Sequence, residues 1–248
     1  MEVIEGRNPL IEALKAGRPV SKILLDSNSR RHGAVDQILA LSKARGVPVE
    51  FVERRVIEKH ASTGSSQGVI AFAEVKEFVD LGELINISRI KSDRPLYLLL
   101  DGIEDPHNLG AILRSAEATG VHGVIMRERR AAGITPAVVR ASAGAVEYIN
   151  IARVANISQA VETLKKNGVW VTGIDMDGQT DYRALDFTLP SAIVIGGEGQ
   201  GLSDLVRRRC DWVASIPMKG KIMSLNASVA AAVVMYEVLR QRDDPQRQ

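Results

Sequence analysis

The stretch Gly196–Gly201 holds four glycines in six positions and one carboxylate, Glu198. It directly follows the apolar run Ala192–Ile195, as a loop follows a buried strand. Glycines leave backbone N–H groups open to a ligand, because no side chain blocks the approach. Open α/β sheets bind their ligands in such loops, at the carboxyl ends of strands. The pattern indicates either a ligand-binding loop or a tight turn that binds nothing.

The common nucleotide-binding patterns do not fit this loop. A dinucleotide fingerprint needs Gly-x-Gly-x-x-Gly. Counted from Gly197 the last position is Leu202, and counted from Gly199 it is Asp204. The acidic residue expected about twenty residues later is missing from Ser215–Met218. No Gly-Lys-Ser/Thr follows the glycines, which excludes a P-loop.

A second loop follows the apolar run Trp212–Ile216, where Pro217 fixes the chain at the strand end. Ser224 or Asn226 can cap the helix that follows, which is predicted to run to about Arg240.

That helix is apolar nearly all round. Leu225, Val229, Val233 and Tyr236 lie along one face, and alanines and further apolar residues cover most of the rest. Such a helix is buried on more than one side. It either belongs to the layer that covers the sheet or is shared with a second copy of the chain, and the second interpretation is favoured.

The exit of the apolar run Leu96–Leu100 supplies a third group of polar residues. Asp105 begins a turn, and Asn108 is predicted to cap the next helix. Long side chains on a helix lean towards its N-terminus, so the Arg114 guanidinium can return to the ligand side. A cation there suits a phosphate or a developing oxyanion. The alternative is a surface ion pair with Glu117.

The elements that position these loops alternate in type. Residues 1–75 are predicted to form a compact αβαβαβ unit whose first helix is capped by Asn8, and residues 76–94 a charged linker with at most one short helix. Residues 95–242 are predicted to be a doubly wound parallel sheet, and residues 243–248 a tail. Its six expected strands are Leu96–Leu100, Gly123–Met126, Tyr148–Ala152, Val169–Ile174, Ala192–Ile195 and Trp212–Ile216.

Composition restricts the class of protein. The 248 residues are 45% hydrophobic and 25% charged, which is ordinary for a globular protein. One cysteine, Cys210, excludes an internal disulfide and favours the cytoplasm, and neither the cysteine nor the four histidines indicate a metal site. No signal peptide or membrane span is expected. The candidate phosphate contacts, equally well interpreted as solvated side chains, are Arg30-Arg31, Arg54-Arg55, Arg129-Arg130 and Arg207-Arg208-Arg209.

Three motifs resemble those of the SpoU/TrmH family of RNA ribose 2′-O-methyltransferases. They appear in the family's order within about residues 95–242: Asp105-Pro106-His107-Asn108-Leu109-Gly110 continuing to Arg114, Ile195–Leu202, and Ile216-Pro217-Met218 with Ser224-Leu225-Asn226. The opening Gly6–Leu14 and the strand Gln67–Ala71 resemble the substrate-binding domain of the subgroup that methylates a guanosine of large-subunit ribosomal RNA. That domain is similar to RNA-binding ribosomal proteins.

The resemblance implies S-adenosylmethionine as cofactor, ribosomal RNA as partner, a C-terminal trefoil knot and a homodimer formed through the C-terminal domain. Helices on both faces of the sheet are implied too. In the family the glycines leave space for the cofactor. The implied cofactor-binding residues are Gly196, Gly197, Gly199, Ile216, Met218 and Leu225. The implied catalytic residues are Arg114, Asn108, Glu198, Ser224 and Asn226.

An arginine is a poor base because its guanidinium holds its proton far above neutral pH. Arg114 is therefore interpreted as a cation that stabilises the forming alkoxide and holds the adjacent phosphate, while the proton passes to phosphate or water. Two other functions stay open. One is a transfer-RNA or antibiotic-resistance methyltransferase of the same family, and the other is a non-catalytic RNA-binding ribosome-assembly factor.

Overall fold

A computed structural model of the chain describes residues 1–29, 33–62, 64, 66–129 and 131–244. Arg30-Arg31, Arg130 and residues 245–248 of the predicted tail lie outside the described residues. The chain divides into two units, one of Met1–Glu77 with Gly133–Tyr148 and one of Phe78–Ala132 with Ile149–Gln248. Within the described residues, no helix has the length and apolar character needed to span a membrane.

Helices and strands alternate along most of the chain. The helices are α1 (Arg7–Ala16), α2 (Ala34–Arg45), α3 (Arg54–His60), α4 (Leu81–Lys91), α5 (Pro106–Ala118), α6 (Pro136–Ala141), α7 (Ile157–Lys166), α8 (Asp204–Arg209) and α9 (Ala227–Asp243). The strands are β1 (Glu2–Glu5), β2 (Val20–Asp26), β3 (Val49–Val52), β4 (Val69–Ala73), β5 (Leu96–Asp101), β6 (Gly123–Arg127), β7 (Ile151–Val154), β8 (Trp170–Ile174), β9 (Thr180–Asp181), β10 (Ser191–Gly196) and β11 (Trp212–Ser215).

The first unit contains a four-stranded mixed sheet in the order β1-β4-β2-β3, in which only β2 and β3 run parallel. Strand β1 is absent from the sequence prediction, because two glutamates in four residues hide its strand character. Its Glu5 is only 1% exposed and accepts hydrogen bonds from the Ser62 backbone N–H and hydroxyl. The predicted Asn8 cap is wrong: α1 begins at Arg7, and Gly6 occupies the N-cap position without a side-chain bond.

The segment Gly133–Tyr148 follows β6 in sequence yet packs in the first unit. Glu147 forms a buried ion pair with Arg18 at 2.7 Å, and the Tyr148 hydroxyl donates to Glu12 Oε2 at 2.6 Å. The chain therefore passes between the units after Glu77, after Ala132 and after Tyr148.

The second unit contains a seven-stranded sheet in the order β7-β6-β5-β10-β8-β11-β9, and each adjacent pair is parallel. The predicted parallel α/β sheet is confirmed, and β9, of two residues, adds to the six expected strands. Strands β5 and β10 are neighbours whose ends are in register, with Asp101 opposite Gly196. The loops that follow these strands therefore start side by side. The trefoil knot stays a prediction.

Helices α4, α7 and α8 pack on one face of this sheet, where alternate strand residues such as Tyr97 and Leu99 are buried. Leu84 and Ile85 of α4 belong to this core, so residues of the expected linker form part of the second unit. Their isolated apolar positions gave too weak a helical period to indicate a core helix.

Helix α9 packs against α5 and β10, and Gln241 near its end exchanges hydrogen bonds with Leu185 and Phe187. Ala231, Val234 and Val238 of this helix are fully buried. Val229 and Tyr236, on the face predicted from the sequence, are 46% and 52% exposed. The described chain thus leaves an apolar stripe of this helix without a covering layer.

Candidate active site

Three polar side chains from separate elements meet beyond the carboxyl ends of β5 and β10. Asn108 on α5 donates from Nδ2 to Glu198 Oε1 at 3.0 Å. Asn226, at the start of α9, donates from Nδ2 to Glu198 Oε1 at 2.5 Å and to Asn108 Oδ1 at 2.9 Å. Residues 118 positions apart thus belong to one closed ring.

The helix cap of α9 fixes the orientation of this ring. Asn226 Oδ1 accepts from the Ser228 backbone N–H at 2.9 Å and from the Ser228 hydroxyl at 2.6 Å. Because the oxygen serves the cap, the NH₂ group must face Asn108 and Glu198. Of the two predicted caps, Asn226 takes the position and exposed Ser224 does not.

The predicted capping role of Asn108 is wrong. Asp105 caps α5 instead, accepting from the His107 backbone N–H at 3.1 Å, with Pro106 as the first helical residue. Asn108 is therefore free to join the ring, where it is only 7% exposed.

Two clefts meet at Glu198. The glycine-loop cleft, of about 600 Å³, lies between Gly196–Leu202, the end of β8 and the Met223–Ala227 stretch, and Ile216 and Met218 contribute to it. The β5-loop cleft lies between Asp101–Asp105, Asn108, Arg127 and residues 197–204. All the predicted cofactor-binding residues line the first cleft.

Two of the glycines are required by the protein itself. A Cβ on Gly196 would lie 2.2 Å from the Gly201 carbonyl carbon, and one on Gly197 would lie 2.3 Å from the Gly102 oxygen. These contacts are a reason for the two glycines within the protein itself, and the space for the cofactor that the family resemblance implies stays a prediction. A Cβ on Gly199 would meet no neighbouring atom. Glycine is favoured there because its φ of 82° is a backbone conformation that other residues rarely adopt.

Acidic residues at the end of β8 also line the glycine-loop cleft, and the sequence interpretation missed them. Asp175 accepts from the Leu202 backbone N–H at 3.4 Å, and Asp177 faces solvent beside it. Arg207 lies 3.5 Å from Asp175 and 3.8 Å from Asp177. A dinucleotide fingerprint has its acidic partner after the glycines, whereas these carboxylates follow β8, a sheet neighbour of β10 that precedes it in the chain.

Asp101 joins the loops of the β5-loop cleft. Its Oδ2 accepts from the Ser203 backbone N–H at 2.9 Å and from the Ser203 hydroxyl at 2.7 Å. Its Oδ1 accepts from Arg127 Nη2 at 2.7 Å. This buried carboxylate therefore fixes the glycine loop relative to the neighbouring strands.

Arg114 is not brought to the ring of its own chain. It lies six residues after Asn108, which is about 120° away around the helix axis and about 9 Å along it. The side chain is exposed and lines neither cleft. Among the described residues it has no hydrogen-bond or ion-pair partner, so the alternative pairing with Glu117 is not formed there.

Several of the arginines considered as phosphate contacts are engaged within the chain. Arg54 pairs with Glu58 at 3.0 Å, Arg55 with Glu53 at 2.7 Å and Arg209 with Glu162 at 3.1 Å. Arg208 and Arg129 have no such partner in the part of the chain that the structure describes. No group of three or more His, Cys, Asp or Glu side chains suited to a metal ion occurs among the described residues.

Comparisons with known proteins cover nearly the whole chain. Residues 95–236 match the SpoU rRNA Methylase family, and residues 3–79 match a domain described as RNA 2′-O ribose methyltransferase substrate binding. The Bacillus subtilis protein YacO bears the name of a TrmH family tRNA/rRNA methyltransferase. Its sequence is 41% identical to this one, and the alignment covers 98% of this chain and 96% of YacO.

Two solved structures are similar throughout. The SpoU methyltransferase AviRb of Streptomyces viridochromogenes, in complex with AdoMet, has a TM-score of 0.81 at 29% identity, over 97% of this chain and 89% of its own. The AdoMet-bound rRNA methyltransferase of Sinorhizobium meliloti has a TM-score of 0.77 at 29% identity, over 96% and 87%.

Proposed function

The chain belongs to the SpoU rRNA Methylase family, and from that premise we propose that it transfers a methyl group from S-adenosylmethionine to a ribose 2′-hydroxyl of RNA. The observation that carries this proposal is the ring of Asn108, Glu198 and Asn226 at the junction of two clefts. Two adjoining clefts suit a reaction that brings a methyl donor and an acceptor together.

The residues of the glycine-loop cleft fit the cofactor. Ile216, Met218 and Leu225 offer apolar surface for a flat base, and the glycine loop offers backbone polar groups. Asp175, Asp177 and Glu198 give the cleft a negative character that suits a positively charged sulfonium. S-adenosylmethionine supplies an already activated methyl group, so the protein's tasks are alignment and removal of the hydroxyl proton.

The catalytic roles follow from that division of tasks. As the methyl–sulfur bond breaks and the new methyl–oxygen bond forms, the 2′-oxygen loses its proton to a phosphate oxygen or to water. Arg114 is proposed as the cation that stabilises the forming alkoxide and holds the adjacent phosphate. Asn108, Glu198 and Asn226 hold the loops in register, and Ser224 contributes to the shape of the loop before α9.

A complete site is proposed to need two chains. Arg114 projects away from the ring of its own chain, while the β5-loop cleft carries the carboxylates Glu104, Asp105 and Asp204. The exposed stripe of α9 supplies an apolar surface for a twofold contact, and the neighbouring α5 presents Arg114. Arg114 of a second copy would then complete the site.

Within this class we propose a guanosine of large-subunit ribosomal RNA as the target, supported by the substrate-binding match over residues 3–79. Transfer RNA is an alternative target, because a relative is named for both tRNA and rRNA. An antibiotic-resistance target in ribosomal RNA is a further alternative. Mapping 2′-O-methyl groups in ribosomal and transfer RNA, with and without this protein, separates them. A non-catalytic assembly factor would give no new methyl group and no calorimetric binding of S-adenosylmethionine. The cytoplasm stays a prediction.

A further inference from the structure

The carboxylate of Glu198 has two oxygens, and the ring of polar side chains uses only one of them. Asn108 Nδ2 and Asn226 Nδ2 both donate to Oε1. Within the described part of the chain, Oε2 accepts no hydrogen bond. A carboxylate oxygen is a strong acceptor. The ring therefore holds the carboxylate through one oxygen and leaves the other available to a ligand.

The position of Glu198 gives that second oxygen a use. Glu198 lines both the glycine-loop cleft and the β5-loop cleft. On the proposed function, on which this inference rests, the methyl donor occupies the first cleft and the RNA enters the second. The reacting 2′-hydroxyl then comes to the junction of the two clefts, beside this carboxylate.

One other described carboxylate, that of Asp204, also lines both clefts. No hydrogen bond to a described residue fixes the Asp204 side chain, whereas two hold that of Glu198. Fixed geometry is what an effective proton acceptor needs. The other charged side chains of the clefts each line only one of them, and they are Asp101, Glu104, Asp105, Arg127, Asp175, Asp177 and Arg207.

We propose that Glu198 Oε2 is the terminal proton acceptor of the methyl transfer, reached through one water molecule. A lone pair of the 2′-oxygen forms the bond to the methyl carbon, and the electron pair of the carbon–sulfur bond stays on sulfur. The hydroxyl proton passes to the water, and the water gives a proton to Oε2. The carboxylic acid so formed returns its proton to solvent after the step.

This assignment separates the proton acceptor from the cation. A guanidinium keeps its proton at neutral pH and carries no acceptor, so Arg114 stabilises the alkoxide without taking the proton. Asn108 and Asn226 are positioning residues, because they act through Oε1 of the carboxylate.

The first test measures kcat/KM for RNA against pH, with the full-length protein and saturating S-adenosylmethionine. A base acts only when ionised, so kcat/KM of the unmodified protein should fall as the pH is lowered. Glu198→Gln should lose this acid limb and about a hundredfold of the rate, since base catalysis contributes about 10²–10⁴. Asn108→Ala and Asp204→Asn keep the Glu198 carboxylate and should keep the limb, whatever their rates.

Two further measurements distinguish a base from a structural residue. Infrared difference spectra between the unmodified protein and Glu198→Gln follow the ionisation of this carboxylate without turnover, and their midpoint should coincide with that of the kinetic limb. Formate should raise the rate of Glu198→Ala several-fold, because a small carboxylate can occupy the space that the side chain leaves. It should not raise the rate of Asn108→Ala, which breaks the ring and retains the base.

An acid limb that persists in Glu198→Gln would overturn the inference and assign the proton to phosphate or bulk water. Loss of the limb in Asp204→Asn, or an equal response of Glu198→Ala and Asn108→Ala to formate, would also overturn it. Thermal transitions check that each variant is folded. Failure of the proposed function is distinguishable, because the unmodified protein would then transfer no methyl group to any RNA at any pH.

Discussion

The two units hold clefts of different charge. Five carboxylates and one guanidinium line the β5-loop cleft: Asp101, Glu104, Asp105, Glu198 and Asp204 with Arg127. The cleft of the first unit between Arg7, Asp26, Arg54 and Gln67, called the Arg7 cleft, has two guanidiniums and one carboxylate in its lining, and Glu58 pairs with the Arg54 guanidinium. An RNA strand is repelled by the first arrangement and not by the second. The carboxylate-rich site is therefore separated along the chain from a cleft of balanced charge.

This separation creates a requirement at the reaction site. A polyanionic substrate that approaches the ring of Asn108, Glu198 and Asn226 needs a cation there to offset the carboxylates. Arg127 already pairs with Asp101 at 2.7 Å. Arg114, exposed and without a partner among the described residues, is the cation that a second copy can supply.

Arg114→Ala is the largest expected loss. Removing a donor that stabilises a developing oxyanion costs about 10²–10³ in rate, so methylation should fall by at least that factor while S-adenosylmethionine binding stays unchanged. Tritiated methyl incorporation and calorimetry measure the two quantities. Lys166→Ala, which also removes an exposed cation of the second unit, is the control and should retain full activity.

Mixing two inactive variants tests whether the site is shared. If Arg114 acts on the other chain, a mixed dimer of Arg114→Ala and Asn226→Ala has one intact site out of two. Half of a random mixture is mixed dimer, so about a quarter of the activity should return. No recovery after confirmed subunit exchange would place Arg114 and Asn226 in the same site of one chain.

The exposed stripe of α9 gives the next prediction. Replacing Val229 and Tyr236 by Glu puts charge on the expected contact, since the burial of unpaired charge opposes association. Sedimentation should report a monomer, and methylation should fall about a hundredfold, as losing the second chain's guanidinium would. A matched change of exposed Ile90 to Glu should leave the oligomer intact. A double variant that stays dimeric would contradict this use of α9.

The parallel sheet was predictable because apolar runs alternate with helical segments, and the runs of β5, β10 and β11 are followed closely by glycine or proline. The expected strand Tyr148–Ala152 was only partly right, since β7 spans Ile151–Val154. The family membership was predictable from the motifs around Asn108, Glu198 and Asn226. Strand order was not, and it decides that β8 rather than a later strand provides Asp175 and Asp177. Strand β1 was missed, and the core position of helix α4 and the packing of Gly133–Tyr148 in the first unit could not be predicted, because they depend on distant partners such as Arg18 for Glu147.

Glu198→Gln separates the ring from the charge of the clefts. The amide keeps an oxygen for Asn108 and Asn226 but loses the negative charge that strengthens both bonds. Bonds to a charged group contribute about 1.5–3 kcal/mol, so kcat should fall roughly tenfold to a hundredfold. Steady-state kinetics with a thermal transition as control measure this. A variant with unchanged kcat would show that the negative charge of Glu198 is not needed for the reaction.

A smaller effect is expected at the exposed acid of the glycine-loop cleft. Asp177 is 74% exposed, and exposed charge interactions contribute about 0.2–1 kcal/mol. Asp177→Asn should therefore weaken S-adenosylmethionine about two- to fivefold at low salt and affect S-adenosylhomocysteine, which lacks the sulfonium, less. Calorimetry with both ligands checks this, with Asp93→Asn as the control on another surface. Equal effects on both ligands would contradict an electrostatic role for this carboxylate.

Gln67→Gly has the smallest expected effect and concerns the strain in the Arg7 cleft. Gln67 has φ of 52°, a conformation that costs a non-glycine residue about 1 kcal/mol or more. Glycine removes that cost but also the 3.1 Å bond from the Arg7 backbone N–H, a contribution of about 0.5–1.5 kcal/mol. We expect the free energy of unfolding to change by less than about 1 kcal/mol, while affinity for RNA falls two- to threefold. Denaturant unfolding measures the free energy, and a binding titration with RNA measures the affinity. A large loss of stability would show that the Gln67 side chain is needed for the fold. An unchanged RNA affinity would contradict a role of this side chain in RNA binding.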